Sequence, residues 1–323
     1  MTRATMIAGV ALAAYTLLNI AASIFVAVLW RTRAVAPSNL PPDVRGRRLL
    51  LLRVLPALAS TLLTMAIVTP AFAIFEPFGL HETMGPVLKV LGIAALAHIA
   101  AALLIATRSV IVTARIEREW LRGSSPLAVD NGMPAFAIES ASPVVALVGV
   151  WKPKLLAARA IVDTCSAEEI ARIAGHERGH MQSHDNVKRW IMGSLPDLLR
   201  WTPVHREIVE AWHHAAEDAA DDASTGKDAV ARAELAALLL KVARLAPHPV
   251  WQSAIVSPFV ERDGLERRVR RLIQPDLEAP APLAIVPLVA TTIMVVAALA
   301  ALSSPQTMEL IFDAFESLVA LGR

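Results

Sequence analysis

Long apolar runs limit how this chain can fold more than any other feature of its sequence. Met6 to Trp30, Leu49 to Phe75 and Val87 to Val112 are each about as long as a helix that crosses a ~30 Å hydrocarbon core, and Pro282 to Leu302 makes a fourth. The first run is too long for a signal-peptide core and no small-residue cleavage site follows it, so it reads as a retained span with Trp30 at the interface. Composition agrees: 55% of the residues are hydrophobic and the mean hydropathy is +0.51, too apolar for an ordinary soluble domain. A net charge of +2 argues against a nucleic-acid binder. Cys165 is the only cysteine, so the fold cannot depend on an internal disulfide.

Charge orders the runs. Arg31, Arg33, Arg45, Arg47 and Arg48 crowd the first connection, the second (EPFGLHETMG) has no Lys or Arg, and Arg108, Arg115, Arg118 and Arg122 end the third run. The positive-inside rule then puts the first connection and everything just after Val112 in the cytoplasm, with the amino terminus outside. The expected organisation is three transmembrane helices in 1–112 (about 6–30, 49–75 and 87–112), a cytoplasmic domain over 113–280, a fourth transmembrane helix over 281–303, and a short extracytoplasmic tail over 304–323. In the tail, Met308, Ile311, Phe312, Phe315 and Val319 share one face of an amphipathic helix suited to the outer membrane surface. Arg53, inside the second run, is expected to snorkel to the basic side, and His98 to make a hydrogen bond within the bundle.

The 113–280 stretch carries the chemistry. HERGH, His176 to His180, places two histidines four apart on one face of a helix, so both can reach a single metal ion, with Glu177 beside the first to take a proton from water. Ser166 and Glu169 form a capping-box pattern for that helix, and Ile170 and Ile173 continue its inward stripe. A catalytic zinc needs a third protein ligand, and the best candidate lies in EDAAD. There Glu217 and Asp221 are again four apart on an alanine-rich helix expected over 208–223. One carboxylate can bind metal while the other accepts a histidine ring N–H. His213 and His214, one turn earlier, are rival ligands. Ahead of the histidines, 127–129, 135–138, 144–150 and 154–156 read as short strands of a small sheet, whose exposed edge could grip an extended peptide. Asp185 and Asn186 read as helix-ending residues, 187–199 and 229–245 as further helices, and LERRVRRLI (265–273) as a solvated surface helix.

The order of three spans, a domain with HExxH, and a fourth span resembles the BlaR/MecR-type antirepressor membrane metallopeptidases. SPVVALVGVWKPKLLA, SAEEIARIAGHERGHMQSHDN, EDAAD and LERRVRRLI carry the local match, and the resemblance as a whole covers roughly residues 5 to 303. In site chemistry, HExxH plus ExxxD is similar to the HtpX and CAAX endopeptidases. The fold implied is an α-helical polytopic membrane protein with an α+β zincin-like metallopeptidase domain in the cell (inner) membrane. The resemblance further implies one zinc ion per chain on His176, His180 and Glu217, with Glu177 as general base and Asp221 supporting a ligand. It implies a protein or peptide substrate, such as a cytoplasmic repressor, in regulatory proteolysis; quality-control proteolysis of the HtpX kind and catalytically silent signalling are the alternatives. The large penicillin-binding sensor of the best-known members has no counterpart after the last span, and STGK (Ser224 to Lys227), which matches a sensor motif, lacks its KTG partner.

Overall fold

The computed structural model describes residues 2–32, 40–75, 84–129, 132–140, 143–226, 228–245, 256–259, 264–274 and 305–320. The expected fourth span, 281–303, lies outside them. Among the described residues, three helices are long and apolar enough to cross a membrane: α1 (Arg3–Arg31), α2 (Pro42–Phe75) and α3 (Pro86–Leu121). Local chemistry starts each one. The Thr2 hydroxyl accepts from the Thr5 N–H at the head of α1, while Pro42 and Pro86 open α2 and α3 at a position that needs no backbone donor. α2 and α3 both run beyond their apolar limits, α2 beginning at Pro42 rather than Leu49 and α3 continuing past Val112 to Leu121. A π-helical turn over Thr64–Val68 interrupts α2.

After α3 comes a five-stranded sheet made of β1 (Ser125–Pro126), β2 (Ala135–Ile138), β3 (Val145–Val148), β4 (Lys154–Ala158) and β5 (Val256–Pro258). Its order is β1-β2-β4-β3-β5, antiparallel except for the β2–β4 pair. β2 to β4 fall within the short apolar runs that turn residues mark off, whereas β1 pairs at Ser125–Pro126, just ahead of the expected 127–129, and β5, three residues with a proline, gives no strand signal. The helices that follow are α4 (Arg159–Thr164), α5 (Ala167–Gln182), α6 (Asp185–Ser194), a 3-10 turn (Leu198–Trp201), α7 (Pro203–Thr225), α8 (Ala229–Leu245), α9 (Leu265–Ile273) and α10 (Pro305–Ala320). Ile138, Leu147, Leu156, Ile161, Ile173, Leu239 and Phe259 meet in the core between sheet and helices.

This domain packs against the long apolar helices. α7 lies along the first half of α2: Gly46 faces Trp212 and Ala215, and Leu49, Met192, Trp212 and Ala215 form one apolar cluster. Val26 of α1 and Leu52 of α2 pack with Leu199, Val204 and Ile208. Arg53 does not snorkel. It is fully buried and donates to His205 Nδ1 (2.7 Å), Asp197 Oδ2 (2.7 Å) and the Met192 carbonyl (3.0 Å), because the 192–205 segment brings it partners that solvent would otherwise supply. Trp30, expected at the membrane interface, donates its indole N–H to Glu207 Oε2 on α7 (2.6 Å). His98 is bonded within its own helix, Nδ1 lying 3.0 Å from the Ala94 carbonyl. At the opposite end of α2, α10 turns Phe312 onto Phe72 and Phe75 at ring-centroid distances of 4.9 and 6.1 Å, so this residue of the apolar face covers protein.

Candidate metal centre

The capping box of α5 is formed: the Ser166 hydroxyl accepts from the Glu169 N–H (3.2 Å) and the Glu169 carboxylate accepts from the Ser166 N–H (2.8 Å). Ile170, Ile173 and Ala174 enter the core, and the same stripe carries His176, Glu177 and His180 inward, at most 1% exposed. Thr202 caps α7 and Pro203 opens it, well before the expected start, and its middle brings Glu217 and Asp221 to α5. Gly179 makes the approach possible. A Cβ there would stand 3.1 Å from Ala220 Cα and 3.3 Å from Ala220 Cβ, so any side chain would push α7 away.

The result is a tight convergence. His176 Nε2 and His180 Nε2 are 3.2 Å apart, and each lies 3.4 Å from a different oxygen of Glu217. Among the described residues this is the group able to hold a metal ion, with its donor atoms within 4.8 Å of one another. Each ring is backed by a carboxylate on its other nitrogen. His180 Nδ1 is 2.9 Å from Asp185 Oδ2; His176 Nδ1 is 3.0 Å from Asp221 Oδ1, a close but less well aligned pair. Such backing fixes both tautomers with Nε2 toward the common point.

Asp185 reaches His180 because the chain reverses at His184, which takes a left-handed conformation (φ 56°, ψ 38°). Asp185 and Asn186 therefore do more than end a helix: Asp185 also takes Lys188 (2.9 Å), and Asn186 donates to the Leu147 and Gly149 carbonyls (3.2 and 2.7 Å), tying α6 to β3.

LERRVRRLI is not the solvated helix it resembles in sequence. Arg268 is buried, forks onto Asp221 (3.0 and 2.6 Å), lies 2.9 Å from Glu217 Oε2 and donates to the Phe259 carbonyl. Arg267 and Arg271 clasp Asp218 and Asp222 on either side. Sequence spacing did not show this: arginines stand at 267, 268, 270 and 271, and nothing along the chain says which of them turn toward the acids at 217, 218, 221 and 222. Buried Arg189, 3.7 Å from Glu217 Oε1 and over the Trp212 ring, is a further charge that periodicity alone did not single out.

Electrostatics follow from this crowding. Burial pushes the Glu177 carboxyl up despite the neighbouring histidines, and neither of its oxygens has a hydrogen-bond partner. Burial also opposes a charged Glu217, yet His180 and Arg268 hold it well below the usual carboxylate range. His180 is raised to about 10, the Glu217 and Asp185 carboxylates outweighing its desolvation, so the point between the two rings and Glu217 favours positive charge. Two imidazoles with a carboxylate are a donor set that suits a divalent cation such as zinc. His213 and His214 stay out of the group. Burial holds His213 neutral, its pKa lowered to about 3, with its ring edge-on to Trp212. The Ser224 hydroxyl of STGK donates to the Asp221 carbonyl, a local helix bond, and Lys227 lies outside the described residues.

Chemically, the arrangement offers a three-donor cation cradle beside an unshared carboxylate, and the described residues include three helices able to cross a membrane. Compared with curated proteins the chain finds no match. The family model described as BlaR1 peptidase M56 matches residues 84–272, more than half of the chain, from the start of α3 through α9. The chain belongs to that family of membrane peptidases.

Proposed function

We propose that the protein is an integral membrane zinc metalloendopeptidase acting in regulatory proteolysis. His176, His180 and Glu217 would hold the ion, one per chain, with Asp221 and Asp185 orienting the two imidazoles. What a bound zinc ion supplies is Lewis acidity toward water and a peptide carbonyl. Glu177, buried and unshared with any protein donor, takes the proton of the attacking water and delivers it to the leaving amine. Arg268 holds Asp221 and Glu217 in place as a positioning residue. The single observation that carries this reading is the meeting of both Nε2 atoms and Glu217 at one point beside the orphaned Glu177 carboxylate. An inert scaffold has no use for a buried acid without a partner, which weighs against catalytically silent signalling.

The substrate is a protein. The antirepressor role, with a repressor as partner, rests on the family resemblance, and HtpX-like quality control remains the rival within the same chemistry. The arginine distribution supports a 113–280 domain in the cytoplasm with the amino terminus outside, since the domain docks at the Arg31 and Arg45 ends of α1 and α2. The test is Glu177→Gln in purified protein. Stoichiometric zinc with cleavage lost by at least about a thousandfold is expected of a general base acting in this setting; proteolysis retained within about tenfold would rule out the assignment.

A further inference from the structure

A cavity of about 410 Å³ opens beside His180 and Asp185, walled by Leu147 and Met181 and bordered by Trp151 and Lys152. Its place relative to the spanning helices can be read from hydrogen bonds. Trp151 is 60% exposed and edge-on to Trp190 (5.5 Å), whose indole donates to the Ala106 carbonyl of α3 (3.2 Å). Residues 90–107 of α3 contain no Lys, Arg, Asp or Glu, about 27 Å of helix and close to one hydrocarbon thickness, and Arg108 ends them. Ala106 therefore marks the bilayer surface, and the Trp151 and Lys152 border stands level with it. An exposed tryptophan beside a lysine is the composition of an interfacial belt.

A second line of contacts runs deeper than Ala106. The turn after α6 reaches between α1 and α2, where the Tyr15 hydroxyl donates to the Pro196 carbonyl and the Leu198 N–H donates to Asn19 Oδ1 (2.9 Å). Asn19 lies about 18 Å along α1 from Arg31, inside a stretch without charge from Ala4 to Trp30. α6 thus starts at the metal centre, with Asp185 on His180, and leads into the depth of the bundle.

We propose that this cavity opens at the bilayer surface and that its occupant is the juxtamembrane stretch of a membrane-anchored polypeptide. The inference rests on the peptidase reading and narrows its substrate class: the regulator, or damaged protein, that is cut is one already held at the membrane. Trp151 and Trp190 link the cavity border to Ala106 of α3, and Leu103 and Leu104 just before it are exposed, a short path by which an anchored chain would pass from bilayer to cavity.

The experiment uses the full chain, loaded with zinc, in phosphatidylcholine–phosphatidylglycerol nanodiscs. A nitroxide at Lys152→Cys in a Cys165→Ser background reads depth from collisions with oxygen and with a water-soluble nickel chelate. Preferential oxygen access, calibrated on labelled lipids near the phosphate level, is expected; free access of the nickel chelate, as in bulk water, overturns the placement. One cleavable reporter sequence is then presented untethered, or joined to a transmembrane helix in the same disc by spacers of about 5, 20 and 60 residues. Cleavage fastest with the shortest spacer, at least about fivefold above the longest, supports the proposal, because tethering that merely raises local concentration would disfavour spacers too short to span to a distant site. Untethered reporter cut as fast as the best tethered one overturns it, and a freely diffusing repressor then becomes the substrate. Chelator-sensitive digestion of unfolded casein reports the peptidase reading separately. If neither casein nor any reporter is cut, that reading and the substrate claim fall together, whatever the nitroxide shows.

Discussion

Two clusters of buried charge lie a short way apart in this domain, and they are built to opposite rules. Around Arg53, the Asp197 carboxylate, His205 Nδ1 and the Met192 carbonyl take one donor each, and Asp197 Oδ1 accepts the Arg200 N–H. Around His176 and His180, Glu177 has no partner on either oxygen, Arg189 Nε has none, and three donors crowd one point. Burying polar groups is tolerable when they are paired and expensive when they are not. The complete cluster joins α2 to the domain; the incomplete one is where a cation and a substrate would supply what the chain withholds.

If that contrast is right, equal-looking charge removals have unequal effects. Arg53→Met strands Asp197 in the interior and is expected to lose about 3–5 kcal/mol of stability, read as a fall in the thermal unfolding midpoint in detergent, whereas Glu177→Gln leaves the midpoint level or higher. A drop of similar size in both variants would erase the distinction. Next in size is removal of the ion. Stripping zinc with a chelator should lower stability by about 2.7 kcal/mol relative to protein at a free zinc concentration a hundred times its dissociation constant, and the fall should vanish in His180→Ala, which has little zinc to lose. Arg268→Met should weaken zinc binding about 10–100-fold in chelator competition while leaving the domain folded, since it releases Asp221 and with it the His176 ring.

The smallest effect is on pH. Burial and the Arg53 charge lower His205 to about 4, and a neutral ring is what Arg53 Nε needs as acceptor. A depressed pKa gives stability that is present above the unfolded value near ~6.5 and is lost as pH falls toward 4. His205→Gln should therefore flatten part of the decline in unfolding midpoint between pH 6.5 and 4; an unchanged slope would show that the ring is charged in the folded protein.

The same contrast explains what could be read from sequence. Features set by neighbours along the chain were legible: the capping box at Ser166, the i, i+4 pairs His176/His180 and Glu217/Asp221, and helices at 229–245 and 265–273 all stand where spacing puts them. Features set by convergence were not. Arg53 looked like a snorkelling residue because its partners lie about 140 to 150 positions away, and Asp185 looked like a helix terminator until the reversal at His184 returned it to His180. Arg268 was indistinguishable from its exposed neighbour Arg270 without the phase of α9 against α7. β5 pairs through its backbone, which its three residues do not advertise.

The most direct measurement is metal content with zinc-edge X-ray absorption on the purified full chain. One zinc per chain, bound by two imidazole nitrogens and by oxygen at about 2.0–2.2 Å, and lost in both His180→Ala and Glu217→Ala, is the expected result. Zinc at full stoichiometry in either variant, or a shell containing the Cys165 sulfur at about 2.3 Å, would contradict the account.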